Sequence, residues 1–334
     1  MQAIRHNEQE NEKEYANYLY IKKILPGPQT CSCNSFNFTI QIDNSNKTSK
    51  CCFRCNNYLC RKKYPIRINS LYQEFPFFKL KDITEILKCF LCLELNAEKA
   101  LKFLNNEKYI NISKRSLLKI YQVFRNIIYK YMHLVYETED IGDANKNEFY
   151  SADESLITHH SNKQIWLLGV INNTNKNFRI VGSFNRDSLT LSRFIKKFVR
   201  TGNQIVTDSW GGYNWLDSAD SGYEHIKYNH GLGMFGSGLQ STSHMEAIWN
   251  IIKSKIKNTY YHIPGKKIFR YVREAEYKYI IRNKNFEDKL YDFFEVYALI
   301  NSLSDEEFKK EDFLNDSDLD SDNDEENEDS IESD

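Results

Sequence analysis

From about residue 147 the hydrophobic pattern alternates between two periods in a fixed order, and that order limits the folds open to the chain. Three strand-type runs, FYSADESLI (149–157), QIWLLGVIN (164–172) and FRIVGSF (178–184), follow one another across polar turns. A helical stretch, LSRFIKKFV (191–199), comes next, behind Thr190. Two more strands follow, QIVTD (204–208) and HIKYN (225–229), then a long helix from about 244, HMEAIWNIIKSKI, and a further one, IFRYVREAEYKYIIRN (268–283). Three consecutive strands followed by alternating helices and strands predict a mixed α/β domain over 147–295.

This is the order of an RNase H-like domain, and it gives three acids a meaning. Asp153 lies in the first strand, Asp208 ends QIVTD, and Glu246 opens the long helix. They are 55 and 38 residues apart, which lets a strand, a neighbouring strand and a helix end converge. Clustered carboxylates suit phosphodiester cleavage with Mg²⁺ or Mn²⁺, since hard cations take oxygen ligands and a pair of them serves both the attacking and the leaving oxygen. Such acids repel one another unless a cation lies between them. Asp153 and Glu154 are adjacent on a strand, so one of them points away from any shared site.

Upstream, residues 1–30 are polar, end in LPGPQ, and read as a flexible leader closed by a turn. Cysteines then crowd residues 31–70: Cys31 and Cys33, followed by Cys51, Cys52, Cys55 and Cys60, with strand-like residues between. Paired cysteine knuckles in a cytosolic-type chain indicate a zinc ribbon. The spacing leaves the second pair open between Cys52 with Cys55 and Cys55 with Cys60. Cys89 and Cys92 fall among apolar residues of a helix and read as buried thiols.

Residues 80–134 predict three helices. Ile83, Ile86, Leu87, Phe90 and Leu91 line one face of the first; the second follows Asn96 as N-cap; the third follows Ser113, with Leu117, Ile120, Phe124, Ile127 and Ile128 on one face. The arrangement is helix-turn-helix-like, with Lys114 and Arg115 opening the last helix, although a helical spacer has the same pattern. Residues 135–146 are polar and mark a boundary.

The formal charge of −1 conceals two opposed regions. Residues 305–334 hold 16 Asp and Glu against Lys309 and Lys310, a net −14, and residues 1–304 carry +13. The acidic tail repels itself and is expected to be disordered. The basic body is suited to a polyanion, with double-stranded DNA the expected partner. Arg61, Lys62, Lys63 and Arg67 beside the cysteines, Lys114 and Arg115 in the helices, and Lys253 past Glu246 are the candidate phosphate contacts. The longest apolar run, residues 165–171, is too short to span a bilayer, and the charged start lacks a signal peptide's apolar stretch. No membrane partner is expected; the chain is expected in the nucleus of a eukaryotic host or otherwise in the cytoplasm.

The blocks YSADESL, QIWLLGVIN, GNQIVTDSWGGYNWL, HIKYNHGLGMF and STSHMEAIWNIIKSKIK, in this order, resemble the Merlin-type DDE transposases and their bacterial insertion-sequence relatives. The resemblance covers about 31–285. It implies a metal-dependent transposase that cleaves and joins strands at terminal inverted repeats and works as a homo-oligomer. By position it implies Asp153, Asp208 and Glu246 as the catalytic, Mg²⁺- or Mn²⁺-binding acids, with water or a terminal hydroxyl as nucleophile. It also implies Cys31, Cys33, Cys55 and Cys60 as the zinc ligands, the last just before the basic RKK run. Trp210, Tyr213, Trp249 and His230 match landmarks of the same motifs. Where the family carries His-Thr-Asn ahead of the glutamate, this chain has Ser241, Thr242 and Ser243. That departure motivates the alternative of a domesticated DNA-binding descendant without catalysis.

Overall fold

The computed structural model describes residues 2–43, 45, 50–138, 141–142, 147–160, 163–234, 236–259 and 268–303. The acidic tail, 305–334, and part of the boundary segment lie outside the described residues. The chain divides into two units. One joins Met1–Met132 to Glu276–Glu307, and the other contains His133–Ala275. Among the described residues no helix is long and apolar enough to cross a membrane.

The first unit begins with a correction. Residues expected as a flexible leader form helix α1 (Gln2–Ile21), because Ala16 and Leu19 lie one turn apart on a face that becomes fully buried. Ile24 and Leu25 are buried just beyond it, and Tyr20 meets the ring of Phe53 edge-on at 5.2 Å. Phe53 belongs to a three-stranded antiparallel sheet of β1 (Phe38–Ile42), β2 (Cys51–Cys55) and β3 (Lys63–Pro65). Helix α2 (Leu80–Leu91) has no side-chain cap of its own. Its first amide, that of Leu80, instead donates to the buried Glu12 carboxylate of α1 at 3.3 Å, so α1 caps α2 from a distance.

Helix α3 (Ala97–Asn106) is capped by Asn96, which accepts from the Lys99 amide, and α4 (Lys114–Thr138) starts at Ser113, whose hydroxyl accepts from the Ser116 amide. The apolar faces anticipated for α2 and α4 are buried. Helix α8 (Phe286–Ser302) packs in this unit, with Phe294 5.1 Å from Tyr72 and Phe293 5.6 Å from Phe124. The expected RNase H-like boundary at 295 therefore runs too far, since residues from Glu276 onward group with the N-terminal region.

The second unit is built on a five-stranded sheet of order β6-β5-β4-β7-β8. Strands β4 (Phe149–His160), β5 (Lys163–Asn172) and β6 (Phe178–Ser183) run antiparallel. Strands β7 (Gln204–Asp208) and β8 (Glu224–Tyr228) continue the sheet in parallel beyond β4. Three consecutive antiparallel strands plus two parallel ones on the far side of the first define an RNase H-like α/β fold. Helix α5 (Ser188–Phe198) carries the chain from β6 to β7; it starts at an Asp187 cap rather than after Thr190, because the Asp187 carboxylate takes the Thr190 amide.

The two faces of this sheet differ. On one, Tyr150, Ala152, Leu168, Val170 and Ile205 form a core with Leu191, Phe194, Tyr213 and Leu216. On the other lie Gly169 and Gly182, where an added methyl would strike Met245 and Trp249 at 2.4–2.7 Å, and Phe269 at 2.3 Å, respectively. The missing side chains let α6 (Ser243–Thr259) and α7 (Ile268–Ile280) approach the sheet backbone closely.

Candidate functional site

The register explains why two of the acids are neighbours. β4 and β7 pair in parallel with Ser151 opposite Val206; two residues further on each strand bring Asp153 level with Asp208 on the same face. Across the other edge of β4, Asp153 pairs with Gly169. Because Gly169 leaves its place empty, the indole of Trp249 reaches the strand, and its Nε1 donates to Asp153 Oδ2 at 2.9 Å. Glu246 precedes Trp249 by three residues, one turn earlier on the same face of α6. The start of α6 is tied to β4 by Ser151, whose hydroxyl donates to the Ser241 carbonyl at 2.7 Å, while the Ser241 hydroxyl takes the Ser243 amide at 3.1 Å.

Electrostatics link the three acids. Burial pushes the Asp153 carboxyl up to about 6, and the charges of Asp208 and Glu246 push in the same direction. Asp153 Oδ1 accepts from the Glu154 amide at 2.9 Å, and Asp208 Oδ1 accepts from the Trp210 amide at 2.9 Å, an Asx turn that fixes the end of β7. Among the described residues the acids do not form a group whose ligand atoms all lie within 4.8 Å. Ionised carboxylates brought close together repel one another. Their oxygens are hard donors of the kind Mg²⁺ and Mn²⁺ take, and Asp153 accepts from the Trp249 N–H, a hydrogen bond of the kind that supports ligands in metal sites.

Glu154 is the acid that turns away. It enters the opposite face beside Tyr213, its side chain 3% exposed and 3.9 Å from the Arg186 guanidinium. Burial raises its carboxyl to about 7, with Asp153 and Asp208 adding to the shift.

The cysteines behave differently. Cys31, Cys33, Cys55 and Cys60 bring their sulfurs within 4.8 Å of one another, the one such group of possible metal ligands among the described residues. The Cys31–Cys60 and Cys33–Cys55 separations are 3.5 and 3.6 Å, near the edge of about 3.8 Å for a tetrahedron of thiolates around zinc. The Tyr64 hydroxyl, donating to Cys31 at 3.3 Å, holds that thiol down to about 6, which favours the thiolate that binds metal. Cys51 and Cys52 begin β2, roughly 10 Å along the strand from Cys55, and are buried elsewhere.

The basic candidates separate into two groups. Arg67 is turned inward: its guanidinium donates to the carbonyls of Tyr72 and Phe75 at 3.1 and 3.0 Å and to that of Phe78. Buried with its donors spent on the backbone, it is a structural residue and not a phosphate contact. Arg61, Lys62, Lys63, Lys114 and Arg115 are exposed, and Lys253 is half-buried. Lys63 meets Asp43 at 3.3 Å and Lys114 meets Glu98 at 3.9 Å, surface pairs that a phosphate can displace at little cost. The side chain of His230 lies outside the described residues. The sequence reading missed the hydrogen bond from Trp249 to Asp153, for which the Glu-x-x-Trp spacing on one helix face was the available signal.

Residues 144–279 match the family model of the ISXO2-like transposase domain, a stretch that contains all three acids. The match is to a DDE transposase domain. No curated protein matches the chain. Among solved structures, the catalytic core domain of HTLV-2 integrase in complex with magnesium is 12% identical with a TM-score of 0.29, over 42% of this chain and 88% of that one. The BIV integrase core is 9% identical with a TM-score of 0.28, over 42% and 86%. A simian T-cell lymphotropic virus intasome in complex with the PP2A regulatory subunit B56 gamma is 10% identical with a TM-score of 0.30, over 60% and 69%.

If Trp249 supports Asp153 as a metal ligand, Trp249→Phe should keep the ring's packing and lose the donor. The expected outcome is a fall of about 10- to 100-fold in Mn²⁺ affinity, read by isothermal titration, with near-native thermal stability. Unchanged affinity would assign the hydrogen bond to packing alone.

Proposed function

We propose that this chain is a DDE transposase of the Merlin type, cleaving DNA at the terminal inverted repeats of its own element and joining the freed 3′-hydroxyl to a target strand. The observation that carries the reading is the hydrogen bond from Trp249 to Asp153 within a transposase-domain match, because it joins the Glu246 helix to the strand level with Asp208. In this reading Asp153, Asp208 and Glu246 hold Mg²⁺ or Mn²⁺. When bound, the cations would polarise the scissile phosphate and lower the barrier for attack and departure of oxygen.

The chain's own residues supply position. Trp249 orients Asp153, the Asx turn at Trp210 orients Asp208, and the Ser151–Ser241 hydrogen bond sets the start of the Glu246 helix. Ser241, Thr242 and Ser243 differ from the family pattern and yet anchor that helix, so the departure leaves the acids supported. Water is the nucleophile for the first cut, its oxygen bonding to phosphorus as the 3′-oxygen leaves with a proton. The 3′-hydroxyl then attacks target DNA in the same way.

Cys31, Cys33, Cys55 and Cys60 hold zinc in this reading and shape a ribbon whose exposed Arg61, Lys62 and Lys63 contact phosphates, aided by Lys114, Arg115 and Lys253. Bringing two element ends together calls for a homo-oligomer. Metal analysis of the purified chain is expected to find a single zinc that Cys60→Ser removes; a zinc-free native chain would contradict the ribbon assignment.

The cleavage test uses DNA from the ends flanking the gene, with Mg²⁺ or Mn²⁺. The native chain is expected to nick it, and Asp208→Asn to bind equally well while cutting at least about a thousandfold more slowly, as expected when a metal ligand is removed. Binding without cutting by the native chain under either metal would instead identify a domesticated DNA-binding protein.

A further inference from the structure

The face of the sheet opposite the three acids carries a cluster that the proposed chemistry does not use. The Arg186 guanidinium lies 4.1 Å from the ring centre of Trp166 and 4.2 Å from that of Trp210, held between two indoles. The inner end of this stack is the half-buried Trp166. Trp166 sits on β5 between Leu156 of β4 and Ser183 of β6.

The outer end is open. Trp210 is 42% exposed and the Arg186 side chain 35% exposed, while the aromatic residues of the neighbouring core, Phe194 and Tyr213, are buried. Exposure here does not mean looseness. The Trp210 amide donates to Asp208 Oδ1 at 2.9 Å, its Nε1 donates to the Arg186 carbonyl at 3.4 Å, and Gly212 leaves the room its ring edge needs, since a methyl there would stand 2.7 Å from Nε1. A large aromatic ring held rigid and left uncovered adds little to a core. It is a preorganised stacking surface, and its orientation entropy is already lost before a ligand arrives.

We infer that Trp210, backed by Arg186 and Trp166, is the binding station for an unpaired nucleotide beside the phosphate to be cut. The inference rests on the transposase reading and names where that site holds its substrate. The chemistry of the stack selects the occupant: an indole offers a π-face to a base, and a guanidinium at its side favours a phosphate. Bases inside a duplex already have both faces covered, so only a frayed or unpaired nucleotide can use the ring. Trp210 follows the end of β7 with its amide 2.9 Å from Asp208 Oδ1, so the stack reaches from the opposite face of the sheet to the strand end that carries the proposed metal ligand. The net positive charge of residues 1–304 argues against a cationic peptide as the occupant.

The test is equilibrium binding of the full chain, without added divalent cation, to two fluorescently labelled duplexes, one blunt and one with a short unpaired thymidine flank carrying 2-aminopurine. The expected result is that Trp210→Ala weakens binding to the flanked duplex by about 5- to 150-fold, the range for loss of one base stack, and abolishes the quenching of 2-aminopurine. Blunt-duplex binding should change less than about threefold, and Trp210→Phe should restore most of the flanked binding and the quenching. Equal binding of both duplexes by native and Trp210→Ala chains, or equal weakening on both, overturns the inference. Trp210-dependent quenching in a chain that never cuts DNA would sink the catalytic reading and leave this one standing. Cutting without any Trp210-dependent stacking would do the reverse.

Discussion

The geometry of the acidic site depends on an absent side chain. Gly169 stands opposite Asp153 in the antiparallel pair, and without a Cβ it allows the Trp249 indole to lie against the strand and donate to the carboxylate. A glycine inside a central strand costs conformational entropy and packing. Here that cost is offset by a close helix–sheet contact that also buries Met245, Ile248 and Ile252. Gly182 does the same for Phe269, so the approach of α6 and α7 to this face of the sheet is set by two missing side chains.

Placing Asp153 in that contact has an electrostatic consequence. A carboxylate buried near two others is unfavourable, which is why its pKa rises; a hydrogen bond from Trp249 and one from the Glu154 amide recover part of the loss. In the transposase reading, this unfavourable placement is offset by affinity for a divalent cation. The opposite face carries its own buried acid, Glu154, against Arg186, so the alternation of one strand feeds both the acidic cluster and the aromatic stack.

Much of this was legible in the sequence, and the failures have physical causes. Strand order could be read because the short apolar runs are separated by polar turns. Asp208 and Glu246 stood out because they end a strand and open a helix, and Asp153 because it lies in the first strand of the same order. The cysteine spacing left two pairings open, and only the position of Cys60 before the basic run, seen through the family resemblance, selected among them. Arg67 was misread because a basic run looks solvated; after Pro65 the chain turns, and three backbone carbonyls converge on the guanidinium. The leader concealed a helix because, among its described side chains, the buried apolar residues Ala16 and Leu19 stand among charged neighbours. Helix α8 was detectable from Leu290, Phe293, Phe294, Tyr297 and Ile300 at helical spacing, but its membership in the first unit depends on contacts with distant residues such as Tyr72 and Phe124.

The central claim is that Asp153, Asp208 and Glu246 share divalent cations. The most direct measurement is anomalous scattering from crystals of the chain grown with Mn²⁺. A manganese peak about 2.2 Å from carboxylate oxygens of Asp153 and Asp208, with Glu246 drawn toward the same or an adjacent ion, is the predicted result. Manganese bound only elsewhere, with the three carboxylates still apart at saturating metal, would contradict the account.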